Sequence, residues 1–126
     1  MDKFSSQWFA QADYDLDTAE YMFKGGRFFY AVFMAHLAIE KALKGWWQAR
    51  LQAVPPKTHN LRYLAERIGA VLPEEIDVFL TTLNDLSVPT RYPDDLARLA
   101  AEYTPARTRE ILTHTRESLA WIKEQQ

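Results

Sequence analysis

The sequence predicts an all-α protein, an up-and-down four-helix bundle with one additional short helix, on three observations. Apolar residues recur at alternating steps of three and four in several long segments, which is the period of an amphipathic helix. Glycines and prolines separate those segments. No run of useful length alternates with the period of two that a half-buried strand shows, and there is no internal repeat.

The first helix places Trp8, Ala12, Leu16, Ala19 and Phe23 on one stripe. Ser5 or Ser6 is its expected cap, and Gly25-Gly26 its end, because glycine enters the left-handed conformation that closes a helix without steric cost. The second helix covers residues 27 to about 51. Along it Ala31, Ala35, Ala38, Ala42, Gly45 and Ala49 fall within about 40° of one line, so one edge of this rod is smooth enough for another backbone to come close. Val32, Ile39, Leu43 and Trp46 flank that edge, while Tyr30, Phe33 and Leu37 occupy much of the opposite side. A helix apolar almost all round is either the centre of a bundle or is covered by a second subunit. Charge returns with Glu40, Lys41 and Lys44, on the arc free of large apolar groups.

Val54-Pro55-Pro56 breaks this helix, since proline lacks the amide donor and pushes its predecessor out of helical geometry. Thr58 or Asn60 then caps a short third helix carrying Leu61, Leu64, Ala65 and Ile68, which Gly69 stops. The fourth begins at Pro73, with Glu74 and Glu75 in a first turn whose dipole favours them, and its stripe is Ile76, Phe79, Leu80, Leu83 and Leu86. Two prolines four apart, Pro89 and Pro93, make residues 87–95 a surface loop, followed by a weakly helical piece at residues 96–101. Thr104-Pro105 caps the last helix, which presents Ile111, Thr115, Leu119 and Ile122.

A chain of 126 residues has room for one core, so residues 1–126 are expected to form a single domain. No segment approaches the roughly 18 to 20 uninterrupted apolar residues of a membrane span. The N-terminal stretch carries acidic residues where a secretory signal needs an apolar run, which predicts a cytoplasmic protein with no membrane association. The absence of cysteine excludes a disulfide framework, a thiolate nucleophile and a cysteine zinc site. A formal net charge of -2 argues against a protein that coats nucleic acid through its overall field. A local patch from Lys41, Lys44, Arg50, Lys57, Arg62 and Arg67 remains open beside the plainer reading that these are solvated side chains.

Several motifs resemble the HEPN domain family. They are Asp15-Leu16-Asp17-Thr18-Ala19, the Gly26-to-Ala31 helix entry, the run from Ala35 to Lys44, Thr58-His59-Asn60-Leu61, and Arg91-Tyr92-Pro93-Asp94, in an order and spacing that span almost the whole chain. The resemblance implies a helical bundle that pairs through its long helices. It also implies either of two roles: partner of a minimal nucleotidyltransferase in two-gene systems of toxin-antitoxin type, or metal-independent ribonuclease. The family's nucleases carry Arg-x(4-6)-His, often completed across a dimer. Here Arg109 and His114 have the minimum spacing and Arg107 and His114 the maximum, although Glu110 follows Arg109 where the family has a small polar residue. Helical geometry turns Arg109 about 140° from His114, while Arg107 shares its face about 10 Å along the axis.

The other candidates each have two readings. His36, with Glu40 four residues on, is either a catalytic imidazole or a polar core group satisfied by its neighbour. His59, next to Lys57, Thr58 and Asn60, lies at a helix start where amides favour a phosphate, or where it serves as a cap. Arg91 and Tyr92 suit a phosphate and a nucleobase, or else Arg91 pins the loop to Asp94 or Asp95. No His-x-x-x-His pair, Walker loop or dinucleotide fingerprint is present, and no metal or cofactor is expected. The leading expectation is a non-catalytic or weakly catalytic HEPN protein, a homodimer or higher oligomer, that works with a nucleotidyltransferase or a nucleotide- or RNA-type ligand. The alternatives are a ribonuclease using His114 with Arg107 or Arg109, and Arg91 across a dimer, or a helical scaffold without chemistry.

Overall fold

The structure, a computed structural model, describes residues 2–87 and 93–126. It contains α1 (Lys3–Lys24), α2 (Phe28–Leu51), α3 (Leu61–Ile68), α4 (Glu74–Ser87), α5 (Pro93–Glu102) and α6 (Pro105–Glu124), with no strand among the described residues. The segment expected to be weakly helical is thus a full helix, α5. Pro93 opens it, in the first turn, where a missing amide costs nothing. Among the described residues no helix is long and apolar enough to cross a membrane.

The boundaries follow local chemistry, with two differences from the sequence reading. Asp2, rather than Ser5 or Ser6, caps α1, its carboxylate accepting from the Ser5 amide at 2.8 Å. Ser5 is drawn into the core instead, where its hydroxyl donates to the Gly45 carbonyl at 2.7 Å. At the other end of α1, Gly26 takes the left-handed conformation at φ 76°. α2 stops at Leu51 because Gln52 turns left-handed, at φ 51°, before the chain reaches its proline pair. Asn60 caps α3 and Thr104 caps α6, with Pro105 in the first turn.

Helix directions can be read from side-chain pairs. Phe9 lies against Gly45 and Asp15 binds Lys41, so α1 and α2 run antiparallel. Asp13 meets Lys123 while Glu20 meets Arg116, so α6 is antiparallel to α1 as well. The Phe79 ring packs on His114, and α4 lies beside α6. The four long helices α1, α2, α4 and α6 form the bundle, and α3 and α5 are its shorter members.

α2 is the central rod and touches every other helix. Ala31, Ala35, Ala38, Ala42 and Gly45 are all buried, as the alanine periodicity predicts. Their smooth edge is used within the chain. Gly45 faces Phe9 and Trp8 of α1, and Ala31 and Ala35 share a cluster with Ala19 and Leu112. The larger cluster joins Ile39, Leu43 and Trp46 to Leu61 and Leu64 of α3, Leu80 and Leu83 of α4, and Ile122 of α6. Each such side chain stabilises the fold by roughly 1.5–3 kcal/mol on burial.

Candidate functional site

Two places bring chemistry-bearing side chains together. The first lies where α2, the loop before α3, and α4 converge. Glu40 is 4% exposed and is the hub. One of its oxygens accepts from Lys44 at 3.1 Å, and the other bonds His59 Nδ1 at 2.8 Å. His36, one turn before Glu40, is buried too, but its Nδ1 stands 3.9 Å from the carboxylate, beyond hydrogen-bond reach. Its Nε2 is buried without a hydrogen-bond partner.

The sequence leaves Lys44 open between a basic patch and a solvated side chain; in the structure it is buried against Glu40. The sequence pairs His36 with Glu40; the structure leaves His36 at 3.9 Å from that carboxylate and brings His59, 19 residues away, into its hydrogen bond instead. Two buried charges are tolerable only when paired and hydrogen-bonded. The Lys44 ammonium also lies 5.8 Å from the centre of the Trp8 ring.

Asn84 of α4 closes this site from the other side. Its carbonyl oxygen accepts from the Leu61 amide at 3.0 Å, and its nitrogen donates to the Asn60 side chain at 3.3 Å. Asn60 in turn accepts from the Tyr63 amide. The amides of Leu61 and Tyr63, which an anion at this helix start would use, therefore already have partners. His59 itself is anchored to Glu40, with its side chain 75% exposed, and Lys57 is exposed beside it. Burial holds the His36 imidazole below its ordinary 6.5, opposed by the Glu40 charge and the neighbouring Asn84 carboxamide. Among the described residues no group of three or more His, Asp or Glu is placed to hold a metal ion.

The second place is a groove of about 530 Å³ between α4 and α6. Val78, Phe79, Leu86 and Ile111 give it an apolar floor, and Glu74, Glu75 and Glu110 give it a carboxylate rim. Arg107 and His114 line it together, as their shared helix face predicts. The His114 imidazole packs on Phe79 at 5.5 Å between ring centres and stands 3.7–3.9 Å from Glu117 and Glu110. Arg107 lies over the Tyr103 ring.

Arg109 points elsewhere. Its guanidinium grips both oxygens of Glu20, at 3.0 and 2.5 Å, and lies 4.3 Å from the centre of the Phe23 ring. Arg116 adds a third bond to the same carboxylate. The bond from Arg109 holds the Glu20 carboxyl below its ordinary 4.5 despite partial burial. Arg91 and Tyr92 lie outside the described residues. Three members of the basic patch considered from sequence are internally paired, Lys41 to Asp15, Lys44 to Glu40, and Arg62 to Asp77.

Asn84 is not singled out by the sequence, and Glu40 is singled out only as the neighbour of His36, not as the partner of His59. The available signal was a glutamate and a lysine four apart on a helix otherwise apolar nearly all round; nothing in sequence marked Asn84.

Comparison with known proteins identifies the architecture. The sequence profile of the HEPN domain matches residues 5–125. The crystal structure of TT1696 from Thermus thermophilus is similar, with a TM-score of 0.83 and 28% identity over 97% of this chain and 98% of that one. ST0689, an archaeal HEPN homologue, gives a TM-score of 0.78 and 29% identity over 98% of each chain. No protein of curated function matches. With its long central rod, its four-helix frame and a profile match over nearly its full length, the chain belongs to the HEPN domain family.

Proposed function

We propose that the chain is a single-domain, non-catalytic or weakly catalytic HEPN module that self-associates and works by binding a partner protein, of the minimal-nucleotidyltransferase type that its family resemblance implies. The observation that carries this reading is the α4–α6 groove. Its apolar floor suits the buried face of a helix or an extended segment, and Glu74, Glu75 and Glu110 repel a phosphodiester backbone while favouring a basic one. Exposed Phe4, Tyr14, Tyr21 and Tyr30 on the outer surfaces of α1 and α2 supply apolar area for self-association, since the smooth edge of α2 is taken by α1. The test is titration of the purified protein with a purified minimal nucleotidyltransferase, by calorimetry, together with Val78→Glu in the groove floor. Complex formation that Val78→Glu abolishes supports the reading; no complex at micromolar concentrations overturns it.

A second reading, metal-independent ribonuclease, is favoured by one observation: Arg107 and His114 share a groove, which selects Arg107 over the Glu20-bound Arg109 as the partner of His114. Labelled RNA incubated with the wild type and with His114→Ala decides it. Cleavage that persists unchanged in the variant, or no cleavage at all, removes this reading.

A further inference from the structure

The Glu40–His59 pair is the one place among the described residues where a buried carboxylate holds an open imidazole. A carboxylate paired with Lys44 can only accept, so His59 Nδ1 carries the proton and donates it to Glu40 across 2.8 Å. The neutral ring is thereby fixed in one tautomer, with its lone pair on Nε2. The side chain is 75% exposed, and Nε2 is the ring nitrogen that the bond to Glu40 leaves free. Lys44 offsets the Glu40 charge, and Lys57 stands two residues away in sequence, so the site does not confront an incoming anion with an unbalanced negative charge.

From this we propose that His59 is a phosphoryl-acceptor site, taking phosphate on Nε2 from a small phosphoryl donor such as an acyl phosphate. In the transfer, the Nε2 lone pair attacks phosphorus and an N–P bond forms. The bond between phosphorus and the donor oxygen breaks, and the carboxylate leaves with the electron pair. No proton moves. The ring acquires positive character as the N–P bond forms, and the Glu40 carboxylate on Nδ1–H stabilises it in the product more than in the free ring, which is the condition for acceleration. His36, though it faces the same carboxylate, is buried and is no competitor, and His114 has no bonded carboxylate on either nitrogen.

The experiment incubates the full chain with acetyl phosphate and follows intact mass, acid lability and the phosphorus NMR signal of the product. One acid-labile phosphoryl group on Nε2 is expected, absent in His59→Ala and retained in His36→Gln and His114→Ala. Glu40→Gln should slow the transfer roughly 10- to 100-fold, the effect of losing a charge-assisted hydrogen bond. Because Glu40→Gln also strands Lys44 and can unfold the protein, nitrogen NMR of the wild-type ring provides a measurement independent of that variant: the Nδ1–H tautomer is expected. No modification, modification spread over the three histidines, phosphate on Nδ1, or a dominant Nε2–H tautomer would each overturn the proposal.

Discussion

Gly45 of α2 stands so close to Phe9 of α1 that a β-carbon there would meet the Phe9 ring at 2.8 Å and the β-carbon of Trp8 at 3.1 Å. Alanine at this position would gain about 1 kcal/mol of helix propensity. It would also press on the buried Phe9 ring and the half-buried Trp8, at about 1–3 kcal/mol. Gly45→Ala is therefore expected to destabilise by about 1 kcal/mol, measured by urea denaturation. Gly25→Ala is the control: its β-carbon would meet only ordinary contacts at 3.6 Å and beyond, and its φ of -84° suits any residue. A Gly45→Ala protein more stable than the wild type would show that the α1–α2 contact is looser than described.

Acid sensitivity should trace to Glu20. Its folded carboxyl titrates below the ordinary 4.5, chiefly through the bond from Arg109. A group depressed in the folded state contributes stability that is present above 4.5 and lost as the pH falls through its folded value. Glu20→Gln should cost about 0.5–1.5 kcal/mol at neutral pH, a modest figure because both arginines are partly exposed. The difference between variant and wild type should vanish in acid. Equal destabilisation at every pH would contradict the assignment.

His36 acts in a higher window. Burial lowers its folded value below 6.5, so the unfolded chain binds a proton first as the pH drops. Stability should be full above 6.5 and decline below it until the folded group also titrates. Glu40, His59 and Asn84 are the polar groups that bias it. In His36→Gln the slope of the denaturation midpoint between about pH 6.5 and 5 should flatten; an unchanged slope would assign that titration to another group.

Asn84→Ala removes the acceptor for the Leu61 amide and the donor to Asn60 at once. About 1–3 kcal/mol should be lost, with the fastest new amide exchange at the start of α3. Exchange that rises instead in α6 would place the coupling elsewhere.

These relationships differ in how far the sequence reveals them. Burial of Ala35, Ala38 and Ala42 follows from periodicity, although whether a neighbouring helix or a second subunit covers them does not, and the separation of Arg107 from Arg109 follows from the helical angle alone. Asp2 was less legible than Ser5 or Ser6 as a cap because all three residue types suit that position, and a core hydrogen bond from Ser5 to Gly45 draws Ser5 inside and leaves the cap to Asp2. α5 was obscured by Pro93, which reads as a break together with Pro89 although it only opens a helix. The bond between His59 and Glu40 was illegible for a deeper reason. A contact across 19 residues depends on the path of the intervening loop, and nothing in Thr58-His59-Asn60 says which helix the ring will meet.

The sequence contains four tryptophans, Trp8, Trp46, Trp47 and Trp121, and all sit on α1, α2 and α6. Trp46, in the core, and the half-buried Trp121 approach edge-on at 5.8 Å between ring centres. The protein's own fluorescence is thus a gauge of the bundle centre, where Trp46 shares a cluster with Leu80 and Leu83 of α4, a helix that carries no tryptophan of its own. A ligand that rearranged α4 would register in emission only through its packing on α2, whereas methyl or amide NMR would follow α4 directly.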